Sequence, residues 1–232
     1  MTVGTEGGPS MRSAAILTAA VGIAFTVLFL VAMYLLAQVP TYQASDAELI
    51  EFYENNGHRL LILAGLYVMP FAGIAFLWFI VALRRWVRMA AGESTRGAMF
   101  ADMQLVSGII FVSLFLASAA AGGSTAATVE WTSAPPSPAE ARIMPSFATT
   151  LLLVLGMRMA AIFVFATSSL ARSHDILPRW FVYSGYVVGL FLLLSVSLSP
   201  LLVIVFPAWM VVFCLLLIDR ARLIPAEARL GQ

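Results

Sequence analysis

The sequence predicts an all-α, polytopic membrane protein with six transmembrane helices, on three observations. The chain is 61% hydrophobic and only 11% charged, with a mean hydropathy of +0.95, outside the range of soluble domains. Its apolar residues gather into six blocks that meet or nearly meet the ~20 residues a helix needs to cross the bilayer core. These blocks are continuously apolar rather than alternating, which excludes barrel strands, and lipid offers a spanning backbone no hydrogen-bond partner outside its own helix.

The first block, 13–37, is too long for a secretion-signal core, and no small-x-small cleavage site follows in "LAQVPTYQAS", so it is read as a retained anchor. Residues 1–12, opening with the Gly-rich "MTVGTEGGPS", form a disordered cytoplasmic tail. In the loop 38–59, "SDAELIEFYENNG" carries a capping box, Ser45 with Glu48, and a stop at Gly57, predicting a helix over 46–55. Leu49, Ile50, Phe52 and Tyr53 share one side of it and Glu48, Glu51 and Glu54 lie elsewhere, the pattern of an interfacial helix lying apolar face down on the outer leaflet. An anchor for the next span is the commoner use of such a helix, an acidic collar over an entry site the other.

Spans follow at 60–82, 103–123 and 146–171, with "PPSPAE" in the intervening loop 124–145 expected to be irregular. As one helix, residues 180–218 would reach about 60 Å, roughly twice the hydrocarbon thickness. Pro200 in "SVSLSP" supplies a break, giving spans at 180–198 and 200–218. The bundle therefore covers 13–223, and 224–232 is a C-terminal cytoplasmic tail.

Orientation follows from the basic residues, all of them arginine. With alternating helices, Arg12, Arg84, Arg85, Arg88, Arg96, Arg172, Arg179, Arg220, Arg222 and Arg229 share one side, against Arg59 and Arg142 on the other. The positive-inside rule then places both termini in the cytoplasm. Trp78, Trp86 and Trp180 at the inner boundary, with Tyr42 and Trp131 at the outer one, are placed as an aromatic belt would be.

Chemical motifs are sparse. Cys214 is the single cysteine, inside the last span, which excludes an intrachain disulfide and leaves it a packing residue. There is no HExxH, GxSxG, GxxxxGK[ST] or GxGxxG, and His58 and His174 fall on opposite sides of the membrane. No enzyme activity, cofactor or metal is therefore expected, and a net charge of +1 gives no reason to expect nucleic acid. No Asp or Glu lies within a span, which weakens the case for an ion-coupled transporter. Small residues four apart recur at Gly185 and Gly189, Gly156 and Ala160, and Ser118 and Gly122. Such pairs serve either packing within the bundle or, through Gly185 and Gly189, a homo-oligomer. Pro70 and Pro207 release the carbonyls of Leu66 and Val203 from the helical ladder.

The one anomaly is Arg158, in "LGMRMAAIFVF", about 18 Å below the outer boundary near Ser146 and so near mid-bilayer. A translocon-scale cost of about 2.5–3.5 kcal/mol predicts that it faces the bundle interior. Pro70 lies at similar depth, so the Leu66 carbonyl, Tyr67 and Ser113 are its candidate partners. The guanidinium is either a structural brace or a site for an anionic lipid or small anion formed by Arg158, Tyr67 and Ser113.

The run "FYENNGHRLLILAGLYVMPFAGIAFLWFIVALRRW" with "SGIIFVSLFLASAA", within residues 52–121, resembles a group of small, uncharacterised six-helix integral membrane proteins of high-GC Gram-positive bacteria. The resemblance implies a multi-pass protein of a bacterial plasma membrane, with the lipid bilayer as its partner, and carries over no functional residue. The expectation is a non-enzymatic structural or accessory membrane component, the alternative a binding or transport protein for an anionic or amphiphilic small molecule with Arg158 at its site.

Overall fold

A computed structural model of the chain describes residues 11–40, 44–91, 95–173, 177–195 and 201–223. Their regular structure is helical throughout: α1 (Met11–Leu36), α2 (Asp46–Glu54), α3 (Asn56–Ala91), α4 (Thr95–Thr132), α5 (Pro138–Thr149), a π-helical segment (Thr150–Gly156), α6 (Met157–Ser173), α7 (Arg179–Leu194) and α8 (Leu201–Leu223). Five stretches are long and apolar enough to cross a membrane: Arg12–Leu36, Asn56–Arg88, Gly97–Thr132, Pro138–Ser173 and Leu202–Arg222. The 16 residues of α7 form a shorter apolar helix of about 24 Å, against a hydrocarbon core of about 30 Å. The chain is thus a multi-pass membrane protein with five to six spans. Residues 1–10, Tyr42, His174, the Pro200 break and the C-terminal tail 224–232 lie outside the described residues, while Met11 and Arg12, expected in the tail, already belong to α1.

Close glycine contacts show each long helix running against the one before it. Gly22 of α1 lies on Phe79 of α3 and Cys214 of α8, and Gly65 of α3 lies on Leu35 and Leu36 at the far end of α1. Gly123 of α4 meets Leu66 of α3, while Gly108, a long way back along α4, meets Ile80. The alternation gathers Arg84, Arg88, Arg172, Arg179 and Arg220 at one end of the bundle, and α2, Arg59 and Arg142 at the other. Midway between the ends the helices are joined by phenylalanines. Phe76 of α3 meets four other rings in tilted or edge-to-face contact, at centroid distances of 4.6 Å to Phe25, 5.4 Å to Phe111, 5.1 Å to Phe163 and 5.9 Å to Phe206. In lipid, where no hydrophobic effect drives helices together, such dispersion contacts and aromatic pairs supply much of the association energy.

Gly185 and Gly189 are buried against Ser168 of α6 and Trp209 of α8, and against the ring of Phe165, so this stripe takes the first of its two expected uses, packing within the bundle. The structure corrects several other expectations. Trp86 is buried rather than placed in a belt at the membrane boundary. "PPSPAE" is irregular only in part, because Pro138 opens α5 at a first-turn position, where its missing N–H costs nothing. The span expected at 146–171 is one piece of a longer helix from Pro138 to Ser173, interrupted by the π segment.

The capping box of α2 forms as expected: the Ser45 hydroxyl accepts from the Glu48 N–H, and the Glu48 carboxylate accepts from the Ser45 N–H at 2.7 Å. Its apolar face, however, does not lie on lipid. Leu49, Phe52 and Tyr53 are buried with Ile62 of α3, Ala126 of α4 and Ala141 of α5 in a second core at this end of the molecule. The physical reason is the length of α3 and α4, 36 and 38 residues, which at about 1.5 Å each outrun the bilayer and raise an apolar ledge for α2.

Candidate functional site

At the end that carries α2, the bundle holds an open cavity of about 330 Å³, at the lower end of the roughly 300–1,000 Å³ typical of small-molecule pockets. Helix packing accounts for it. α1 packs chiefly on α3 and α8, whereas α5 packs on α4 and the π segment on α4 and α6, so the two groups part along a seam toward this end. Met33 and Leu36 of α1 and Met69 of α3 form one wall, Leu152 and Leu153 of the π segment the other, and Leu49 of α2 contributes to the roof. Val203 of α8, whose carbonyl Pro207 releases from the helical ladder, lines it as well.

Small residues keep the space open. Gly122 and Ala148 face one another with room for an ordinary van der Waals contact, the Cβ of Ala148 lying 3.4 Å from where a Gly122 Cβ would be. Ser118, one turn earlier on α4, donates to the Ala148 carbonyl at 2.8 Å and fixes that separation. Ser118 and Gly122 therefore serve the close helix approach their spacing suggests, and both also line the cavity. The π segment widens the opposite helix, where the Met157 N–H reaches back five residues to the Leu152 carbonyl. Such widened turns occur often at functional sites, and here two of the segment's leucines form cavity wall.

Arg142 of α5 is the charged residue of the lining, and it bonds the Asp46 carboxylate of α2 at 2.5 Å. The arginine side chain is 35% exposed and the aspartate 68%, so the guanidinium sits at the rim and the carboxylate on its water side. The remaining polar side chains of the lining have their protons committed: Ser146 donates to the Arg142 carbonyl and Thr149 to the Pro145 carbonyl, as Ser118 does to Ala148. What these hydroxyls offer the cavity is oxygen lone pairs, and its donor capacity resides in the guanidinium.

A second arginine holds the roof in place. Arg59, at the start of α3, donates from Nε to Glu130 of α4 at 2.8 Å, and to the Tyr53 and Glu54 carbonyls that end α2 at 3.0 and 3.1 Å. The Tyr53 hydroxyl points toward Thr125 Oγ1 without reaching hydrogen-bond geometry, and burial pushes its phenol up to about 12.

The residues picked out by sequence as a site are dispersed. Arg158 is half-buried, lies outside the cavity lining and donates to the carbonyl of Val154, one turn back in the π segment. Among the described residues no carboxylate forms an ion pair with it. Tyr67 is 72% exposed on the bundle surface with its ring against Phe71, and the Ser113 hydroxyl donates to Ile109 of its own helix. The cavity residues escaped sequence reasoning because Arg142 and Asp46 are ordinary loop charges until 96 positions of chain fold to bring them together. The π segment leaves no mark in the composition of "TLLLVLG". Comparison with known proteins adds no relative: no family model matches the chain, nor does any curated protein or solved structure.

Proposed function

We propose that this chain is a six-pass protein of a bacterial plasma membrane, both termini cytoplasmic, that binds an amphiphilic molecule in the cavity at its α2 end and catalyses no reaction. The cavity carries the reading: it is walled by apolar side chains, roofed by a short amphipathic helix and bordered by a guanidinium at the rim. That gradient from apolar depth to charged rim matches a molecule with a hydrocarbon tail and a polar head at the membrane surface. Arg158, for which the sequence left a structural brace and an anion site open, has no part in this site: it bonds the Val154 carbonyl of its own helix outside the cavity lining. A purely structural or accessory role, the expectation from the sequence, would leave the cavity without a use.

Binding of a fluorescent twelve-carbon amphiphile to protein in phosphatidylcholine nanodiscs tests the proposal. Saturable binding is expected for wild type and should be lost in Gly122→Leu, whose side chain grows into the cavity with only Ala148 beside its Cβ. No saturable binding to wild type, or equal binding to the folded variant, would overturn it.

A further inference from the structure

We infer that the occupant is a single-chain amphiphile with an anionic head group, held by Arg142 in the place that Asp46 occupies. The inference rests on the amphiphile-binding reading and specifies the ligand's charge and shape. The three lining hydroxyls have spent their protons on main-chain carbonyls, so they can accept from a ligand but have no proton to donate. A head group that needs donors finds them on Arg142, and a guanidinium fork matches carboxylate or phosphate geometry. The protein already places an anion there: Asp46 Oδ1 accepts one hydrogen bond from Arg142 Nη2 at 2.5 Å.

Asp46 is also the more replaceable of the pair. It is 68% exposed on a helix N-terminus, and released into water it is rehydrated at little cost, since exposed ion pairs contribute little to stability. An anion arriving from the membrane with its chain in the cavity gains from chain burial as well as charge, whereas Asp46 brings only charge. The volume, about 330 Å³ at the lower end of the small-molecule range, suits one hydrocarbon chain better than two.

The experiment measures Kd in nanodiscs for dodecanoate, dodecyl phosphate and uncharged monododecanoylglycerol. Wild type should bind at least one of the two anions tenfold or more tightly than the uncharged compound. Arg142→Gln should remove that preference while leaving binding of the uncharged chain, which also reports that the variant is folded. Asp46→Asn should tighten binding of the preferred anion severalfold, because it withdraws the competitor. Preference for dodecanoate alone, or dodecyl phosphate alone, identifies the head group as carboxylate or phosphate. Equal affinity of wild type for charged and uncharged chains, or a preference that survives Arg142→Gln, overturns the anionic assignment. Failure of all three compounds to bind wild type overturns the amphiphile-binding reading beneath it.

Discussion

Three arginines illustrate how surroundings decide what one side chain does. Arg59 distributes its donors over Glu130, two carbonyls at the end of α2 and Asn56, the planar fork that lysine could not supply. Arg142, with the same chemistry, stands at the rim of the cavity facing an exposed carboxylate. Arg158 bonds within its own helix. Its replacement by leucine removes a charged hydrogen bond worth about 1.5–3 kcal/mol and relieves a charge that costs about 2.5–3.5 kcal/mol at membrane depth. The two nearly cancel, so Arg158→Leu should unfold at the temperature of wild type or slightly above it, as thermal denaturation in detergent would show. A drop in Tm of many degrees would instead reveal a brace between helices.

At the scale of the element, α2 is the part most dependent on local chemistry. Its nine residues are too few to hold as an isolated helix, so it relies on the capping box, the Arg59 clamp and the burial of Leu49, Phe52 and Tyr53. The Ser45 N–H and hydroxyl together lower the pKa of the Glu48 carboxyl from its ordinary value of 4.5. A depressed carboxylate pKa stabilises the helix above the unfolded value, and the stabilisation is lost as pH falls through the folded one. Amide protection in α2, taken relative to the intrinsic exchange rate at each pH, should therefore fall below about pH 4.5, and protection in Glu48→Gln should vary less with pH over that range. An acid-dependent loss of protection of the same size in Glu48→Gln would assign the effect to other carboxylates. The π segment is the counterpart across the cavity, an irregularity inside one long helix of the kind that cores tolerate where it shapes a site.

For the whole molecule, alternation of the helices separates an arginine-rich end from the α2 end, and the orientation proposed above, with the former in the cytoplasm, rests on the positive-inside rule. Ser133, exposed after α4, and Ser173, exposed at the close of α6, mark the two ends. Single cysteines there in a Cys214→Ala background should differ in intact cells: Ser133→Cys is labelled by a membrane-impermeant thiol reagent and Ser173→Cys is not. The reverse pattern would invert the orientation and with it the leaflet from which an amphiphile reaches the cavity. The phenylalanine cluster around Phe76 joins five helices midway between the ends, so the cavity opens toward the α2 end above a packed centre.

The sequence by itself determined what depends on short-range pattern and on the solvent. Continuous apolar blocks require helices because lipid satisfies no backbone group, and the Ser45–Glu48 spacing requires the start of α2 because the capping box is completed within four residues. Tertiary structure alone decided where apolar faces go and which charges meet. Leu49, Phe52 and Tyr53 would satisfy a membrane surface as well as a protein ledge, and only the projecting lengths of α3 and α4 chose the ledge. Arg158 stands out in the sequence because it is costly in lipid, yet the partner it finds is a carbonyl one turn away in its own helix. Arg142 is unremarkable in sequence and acquires its place from a seam between two packed groups of helices, an absence of contact that no local pattern encodes.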